Sequence, residues 1–173
     1  MSGPDSDRPL EDARFEEGAE TPLRLIARDA EDLAVISSLC QDAVLPASEM
    51  RWDRSSRRFA LLLNRFRWED ATKAEARRRP FERVRSLLVI ADVLRVQSQG
   101  LPPRAEGTVL SLLSLAWEPG EDGAGRLILT LAGDAAIAIE AEDLEVNLRD
   151  VTRPYLAPSR KAPEHDADDD PRS

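Results

Sequence analysis

The chain has 173 residues and a formal net charge of −9, and 42% of its residues are hydrophobic but only 5% aromatic. This composition predicts one core, built mostly from Leu, Ile, Val and Ala. It excludes several classes of protein, because no apolar run approaches the roughly 20 residues that cross a bilayer and the acidic N-terminus lacks the apolar stretch of a secretory signal. The single cysteine cannot form an internal disulfide, which fits a cytoplasmic location. Because the chain has no long apolar run, we also expect no membrane partner.

Both ends of the chain differ from its middle. Residues 1–20 and 157–173 are acidic and poor in large apolar side chains, so they cannot repay the entropy of ordering and we expect them to be disordered. Residues 21–156 are predicted to form a single globular domain, with a charged loop at residues 69–83.

A strand, a helix and a hairpin are predicted first. "TPLRLIAR" alternates like a strand, and "DAEDLAVISSLCQDA" has the apolar spacing of a helix with Asp29 as its N-cap. "SEMRW" and "RRFALLLNRFRW" then flank the polar turn "DRSS". At the end of this hairpin the sequence turns to arginine, and we expect Arg65 and Arg67 to reach solvent while Phe66 and Trp68 stay covered.

The remaining elements are predicted to be mainly strands. "VRSLLVIADVLRVQSQG" is β-rich, with a bulge or bend expected at Asp92. "TVLSLLSLAW", "RLILTLA" and "AAIAIEA" follow, the last two joined by a tight "GD" turn. In "EDLEVNLRDVTRPY", the spacing of Leu144, Leu148 and Val151 predicts a short helix.

The predicted fold class is therefore α+β. We expect a mostly antiparallel sheet, or a partly closed barrel, of about six to seven strands, because consecutive strands have short connections. One helix follows the first strand and a short helix ends the domain.

Four of these stretches, taken in order, resemble a known family. They are "DAEDLAVISSLCQDAV", "RRFALLLNRFRWE", "FERVRSLLVIADVLRVQSQG" and "LSLLSLAWEPG". They are similar to an uncharacterised family of small alphaproteobacterial proteins, a domain of unknown function, over roughly residues 22–156. The resemblance implies a bacterial cytoplasmic protein but no activity and no catalytic residue.

The sequence offers little catalytic chemistry. Its one histidine, His165, falls in the predicted disordered tail, which argues against a nucleophile–histidine site. Cys40 lies on the apolar stripe of the helix, where an inert core thiol is the simpler interpretation. With one Cys and one His, an ordinary zinc site is excluded, and we predict no cofactor and no catalytic residue. This pattern is more typical of a binding or accessory protein than of an enzyme.

Charge is the feature with functional content. Fourteen Lys or Arg and six Asp or Glu give residues 51–104 a charge of +8, while the rest of the chain carries −17. Three interpretations of this basic block remain: a solvated face with only a structural role, which we favour for the block itself, a binding surface for nucleic acid or another polyanion through segment 51–85, or a surface for a protein partner. For the chain as a whole we favour a protein that acts through an unknown protein partner. Gln97 and Gln99 could also line a polar pocket. The candidate binding residues are Arg65, Arg67, Trp68, Arg77, Arg78, Arg79, Gln97 and Gln99.

Overall fold

The computed structural model describes residues 21–70, 82–102 and 107–156. Its elements in chain order are β1 (Arg24–Ala27), α1 (Ala30–Leu39), β2 (Ala43–Pro46), β3 (Met50–Asp53), β4 (Arg58–Phe66), β5 (Glu82–Ile90), β6 (Val93–Gln99), β7 (Val109–Pro119), β8 (Gly125–Leu131), β9 (Ala135–Ala141), β10 (Val146–Asp150) and β11 (Tyr155–Leu156). The predicted terminal segments and most of the predicted charged loop lie outside the described residues.

The strands form one open sheet in which every pairing between described strands is antiparallel. Its order is β1-β10-β5-β4-β2-β7-β8-β9-β6, with β3 added to β4 and β11 added to β5. The predicted antiparallel sheet is confirmed. The predicted number of strands is wrong, since the described residues form eleven strands and not six to seven.

The C-terminal helix was also predicted wrongly, because this segment is strand β10, which pairs with both β1 and β5. In so short a segment the apolar residues fit a helical period and a two-residue period equally well. The strand is favoured because it buries Val146 and Leu148 between two neighbouring strands. Leu144 is buried as expected, but Val151 is 45% exposed.

The N-terminal helix agrees with its prediction. The Asp29 carboxylate accepts a hydrogen bond from the backbone N–H of Asp32 at 2.8 Å and so caps α1. Leu33, Ile36 and Cys40 are buried in the core cluster beside residues from most of the strands. The helix therefore fills the inner side of the sheet.

Turn residues set where strands begin and end. Asp92 has a φ of +55°, and it separates β5 from β6 at the predicted bend. Gly133 and Asp134 have φ values of +84° and +60°, the left-handed values that a tight hairpin turn between β8 and β9 requires.

Side chains alternate between two faces of the sheet. In β4, Phe59, Leu61 and Leu63 belong to the core cluster, and these define the inner face. Ala60 and Leu62 are only partly buried and lie on the outer face. The outer face of β1, β10, β5 and β4 carries the charged residues described below.

Candidate functional site

Arg65, predicted to reach solvent, is completely buried on the inner face. Its Nε donates to Ser86 Oγ at 2.9 Å, and its Nη1 and Nη2 donate to the two carboxylate oxygens of Glu69 at 2.8 Å each. Nη2 also donates to Asp150 Oδ1 at 2.9 Å. A buried guanidinium is stable here because carboxylates from two other parts of the chain neutralise it.

The same network joins the end of β10, at Asp150, to the start of β1 and to β5. Asp150 accepts hydrogen bonds from Ser86 Oγ at 2.7 Å and from the backbone N–H of Leu23 at 2.9 Å. Burial of Glu69 raises the pKa of its carboxyl, but the hydrogen bonds and charge of Arg65 outweigh burial and lower that pKa overall. The arrangement is structural, since it links β4, β5, β10 and the residue before β1.

Cys40 lies beside this network and is 1% exposed. Desolvation by burial raises the pKa of its thiol to about 12, although the nearby charge of Arg65 opposes the shift. A thiol with so high a pKa carries almost no thiolate at neutral pH, which agrees with the inert core thiol expected from the sequence.

Arg67 and Trp68 follow the end of β4 and contact other residues of the same chain. Arg67 is 5% exposed, so the expectation that it reaches solvent is wrong, and its Nη1 donates to Glu82 Oε1 at 2.7 Å. Trp68 donates its indole N–H to the carbonyl oxygen of Gln41 at 2.9 Å and packs edge-on against Phe66, with ring centroids 4.5 Å apart. Arg77, Arg78 and Arg79 lie outside the described residues.

Gln97 and Gln99 are exposed on the outer face of β6, opposite Ala138 and Ala136 of β9. With Arg126 of β8 they line a shallow cleft of about 350 Å³. This cleft is remote from Arg65 in the strand order, so the structure does not combine the predicted residues into one site.

A different set of arginines does come together. The outer face of β1, β10, β5, β4 and β3 presents five exposed arginines, and we call this surface the arginine face: Arg24, Arg149, Arg85, Arg58 and Arg51. Three of them, Arg24, Arg58 and Arg149, line a shallow depression of about 480 Å³.

Positive charge exceeds negative charge on the arginine face, where Asp53 of β3 lies directly opposite Arg58 of β4. Arg24 and Arg149 are direct cross-strand partners, a like-charge pairing that destabilises a sheet. Within the described ranges, none of the five arginines forms an ion pair with a carboxylate. Glu145, a carboxylate that lines the depression, contacts Arg28 at 3.5 Å.

The centre of the arginine face is apolar. Leu62 pairs with Leu87, and Ala60 pairs with Val89, so their side chains form a continuous strip on the outer face. All four are only partly buried, and Ile26 beside them is 48% exposed. An apolar centre bordered by guanidinium groups suits an acidic partner that also offers apolar contacts.

Catalytic groups are scarce in the described part of the chain. Among these residues no group of three or more His, Cys, Asp or Glu is placed to hold a metal ion. The same residues contain no helix long and apolar enough to cross a membrane. The guanidinium groups of the arginine face can bind an anionic surface.

Of the arginines named as candidates from the sequence, Arg65 and Arg67 are buried, and the exposed arginines of the arginine face were not among those candidates. In β5 and β10, Arg85 and Arg149 alternate with residues whose side chains are buried. Alternation alone identifies an outer face, but only the strand order shows that these outer faces are adjacent. Because β10 was predicted to be a helix, the opposition of Arg149 and Arg24 could not be anticipated.

Comparison with protein families supports the resemblance seen in the sequence. Residues 23–165 match the family described as "Protein of unknown function (DUF2948)". The match covers most of the chain, which therefore belongs to this family of unknown function. No curated protein and no solved structure matches the chain.

Proposed function

We propose that this protein is a binding module that recognises an acidic surface of a partner protein through the arginine face. The proposal is carried by one observation, the direct opposition of Arg24 and Arg149 amid further arginines that form no ion pair with a described carboxylate. A sheet face with only a structural role would gain stability from opposite charges at such positions. An acidic partner supplies those charges from outside.

The apolar strip favours a protein as the partner. Protein interfaces combine an apolar centre with a polar rim and are enriched in arginine. Ile26, Leu87 and Val89 provide such a centre, with arginines at its edges. Charge complementarity between the rim and the partner would set orientation and speed up association.

Nucleic acid is the second candidate, favoured by the density of guanidinium groups that can bind phosphate bidentately. The described part of segment 51–85 contributes Arg51, Arg58 and Arg85 to this face, and Arg24 and Arg149 come from outside that segment. Single-stranded nucleic acid is usually bound with aromatic side chains that stack on bases. The described strands β1, β10, β5 and β4 place no aromatic side chain at the centre of this face, so the protein partner is preferred.

A cytoplasmic location is part of the same proposal. It is supported by the single cysteine, which is buried and needs no oxidising compartment.

The test compares three forms of the full chain in crosslinking experiments with extract from its source cells. These are the wild type, the variant Arg24→Glu/Arg149→Glu and the control Arg126→Glu, which changes an exposed arginine on β8. We expect one or more acidic proteins to be captured by wild type and control and lost from the double variant. Equal capture by all three forms would refute the proposal.

A parallel titration separates the two candidates. Labelled mixed-sequence RNA and DNA are added to the same three forms at low and moderate salt, with anisotropy as the readout. We expect weak binding that the double variant does not change. Tight binding that falls with salt and with the double variant would replace the protein partner by nucleic acid.

A further inference from the structure

Strands β3 and β6 each have a free edge. Among the described strands, β3 pairs only with β4, and β6 ends the sheet and pairs only with β9. Trp52 of β3 and residues 93–96 of β6 line one cleft of about 440 Å³. Met50 of β3 and Ser98 of β6 line a second cleft of about 240 Å³. The two free edges therefore face each other, and we call the gap between them the seam.

The two strands run antiparallel across the seam. Met50 shares a cleft with Ser98, whereas Trp52, two residues further along β3, shares one with Val96. At one end the backbone N–H of Val93 donates to the carbonyl oxygen of Arg57 at 2.9 Å. This hydrogen bond fixes the relative position of the two edges without pairing the strands.

The seam is wider than one strand spacing. Paired strands are about 4.8 Å apart, yet almost no Cα atom of β3 lies within 8 Å of a Cα atom of β6. One inserted strand needs two spacings, or roughly 10 Å. Ser98 gives independent support, because it lies opposite the buried Ile137 and yet is exposed. An inward position is left uncovered where a strand is missing.

The seam is lined by half-buried apolar side chains, and arginines lie at its margins. Met50, Trp52 and Val96 are half-buried and pack against the core cluster, so an extended chain laid over them would cover their remaining surface. Arg54 and Arg95 line the wider cleft. Arg95 is 63% exposed and lies 3.7 Å from Glu140, and Arg54 forms no ion pair with a carboxylate of the described residues.

We propose that the seam binds an extended, acidic segment of a partner protein by β-strand addition. The backbone of that segment pairs with the edges of β3 and β6, its alternate apolar side chains cover Trp52 and Val96, and its carboxylates meet Arg54 and Arg95. The segment closes the open sheet between β3 and β6. Both sites involve β3, since Arg51 of that strand belongs to the arginine face, but the residues lining the seam are different from those lining the depression on the arginine face.

The experiment uses a labelled heptapeptide of alternating glutamate and valine as the probe, titrated into the full chain and followed by anisotropy. The matched control is the same peptide with alternate backbone amides methylated, which keeps every charge and side chain but cannot complete a ladder. We expect the unmodified peptide to bind and the methylated peptide to bind at least tenfold more weakly. Equal binding, or no binding by the unmodified peptide up to about millimolar concentration, would overturn the proposal.

Charge-reversal variants locate the binding. Arg54→Glu/Arg95→Glu is expected to weaken the unmodified peptide about tenfold or more. Arg24→Glu/Arg149→Glu, on the arginine face, is expected to leave the methylation-sensitive binding unchanged. If Arg24→Glu/Arg149→Glu weakens this binding and Arg54→Glu/Arg95→Glu does not, the seam is not the binding site. The function proposed for the arginine face would then still stand.

A second measurement tests the width of the seam directly. In the variant Arg51→Cys/Gln97→Cys, two exposed positions face each other across it. A disulfide requires Cα atoms closer than about 7 Å, so we expect no disulfide under mild oxidation. Rapid internal disulfide formation would mean that β3 and β6 pair directly in solution, and a dimer joined through these edges would mean that a second copy fills the seam. Either result would overturn the proposal.

Discussion

Replacing Arg65 by methionine should strongly destabilise the fold. The change removes hydrogen bonds to Ser86, Glu69 and Asp150 and leaves the Asp150 carboxylate, whose side chain is 4% exposed, without a cation. Breaking a buried ion pair by removing one partner costs about 3–5 kcal/mol. This is a large part of the roughly 5–15 kcal/mol that stabilises a typical domain. For a domain of this size, the loss expected for Arg65→Met lowers the Tm by roughly 10–15 °C.

Urea unfolding followed by circular dichroism measures this effect. The matched control is Arg126→Met, since Arg126 is 50% exposed and its ion pair with Glu118 is an exposed one. Exposed pairs contribute about 0–1 kcal/mol, so the control should change little. Adding Asp150→Asn to Arg65→Met should recover part of the loss, because no unpaired charge then remains on that side chain. A loss below about 1 kcal/mol for Arg65→Met would refute the reasoning.

Three further predictions concern other residues. The pKa of Glu69 is lowered in the folded state, so its carboxylate contributes stability above its ordinary value of 4.5, and that contribution is lost as the pH falls through the folded pKa. Urea unfolding of Glu69→Gln from about pH 6 to 3 should therefore show a weaker loss of stability on acidification than the wild type, and equal slopes would contradict this. The Cys40 thiol, with a pKa of about 12, should react with a thiol reagent only as fast as the chain opens; rapid labelling of the native protein would count against its burial. Arg24→Thr should raise the free energy of unfolding by a few tenths of a kcal/mol, because it removes the like-charge contact with Arg149, while the charge-preserving Arg24→Lys should have little effect. A marked destabilisation by Arg24→Thr in urea unfolding would show that Arg24 stabilises the sheet.

Local sequence predicts those elements whose beginning, apolar pattern and end are all encoded by neighbouring residues. The helix has its cap, its apolar stripe and its end within a few residues of one another, and the turn between β8 and β9 is encoded by Gly133 and Asp134. The strands β2 and β11 are short, with four and two residues, and they carry too few alternating positions for a period to be recognised. Their existence depends on pairing with distant strands.

The misplacement of Arg65 has a different physical cause. Its position in β4 matches that of the buried Leu61 and Leu63, so alternation indicated the inner face correctly. The charge of the side chain indicated a solvent-exposed position, because an isolated guanidinium is very costly to bury. The decisive partner, Asp150, is 85 residues away in sequence and lies in the segment predicted to be a helix. Only the register of β10 against β5 brings it within reach.

Net charge is therefore a poor guide to what this protein binds. The arginines of β4 and β5 divide by face: on the inner side Arg65 is neutralised by carboxylates of the same chain, and on the outer side Arg58 and Arg85 form no ion pair with a carboxylate of the described residues. A chain with an overall charge of −9 can thus present a strongly positive surface, because its sheet separates charges that composition averages together. Since screening in physiological salt limits electrostatic effects to roughly 8 Å, an approaching partner responds to the face it meets and not to the total. The negative total therefore carries little weight against an anionic partner once the arginine face is defined.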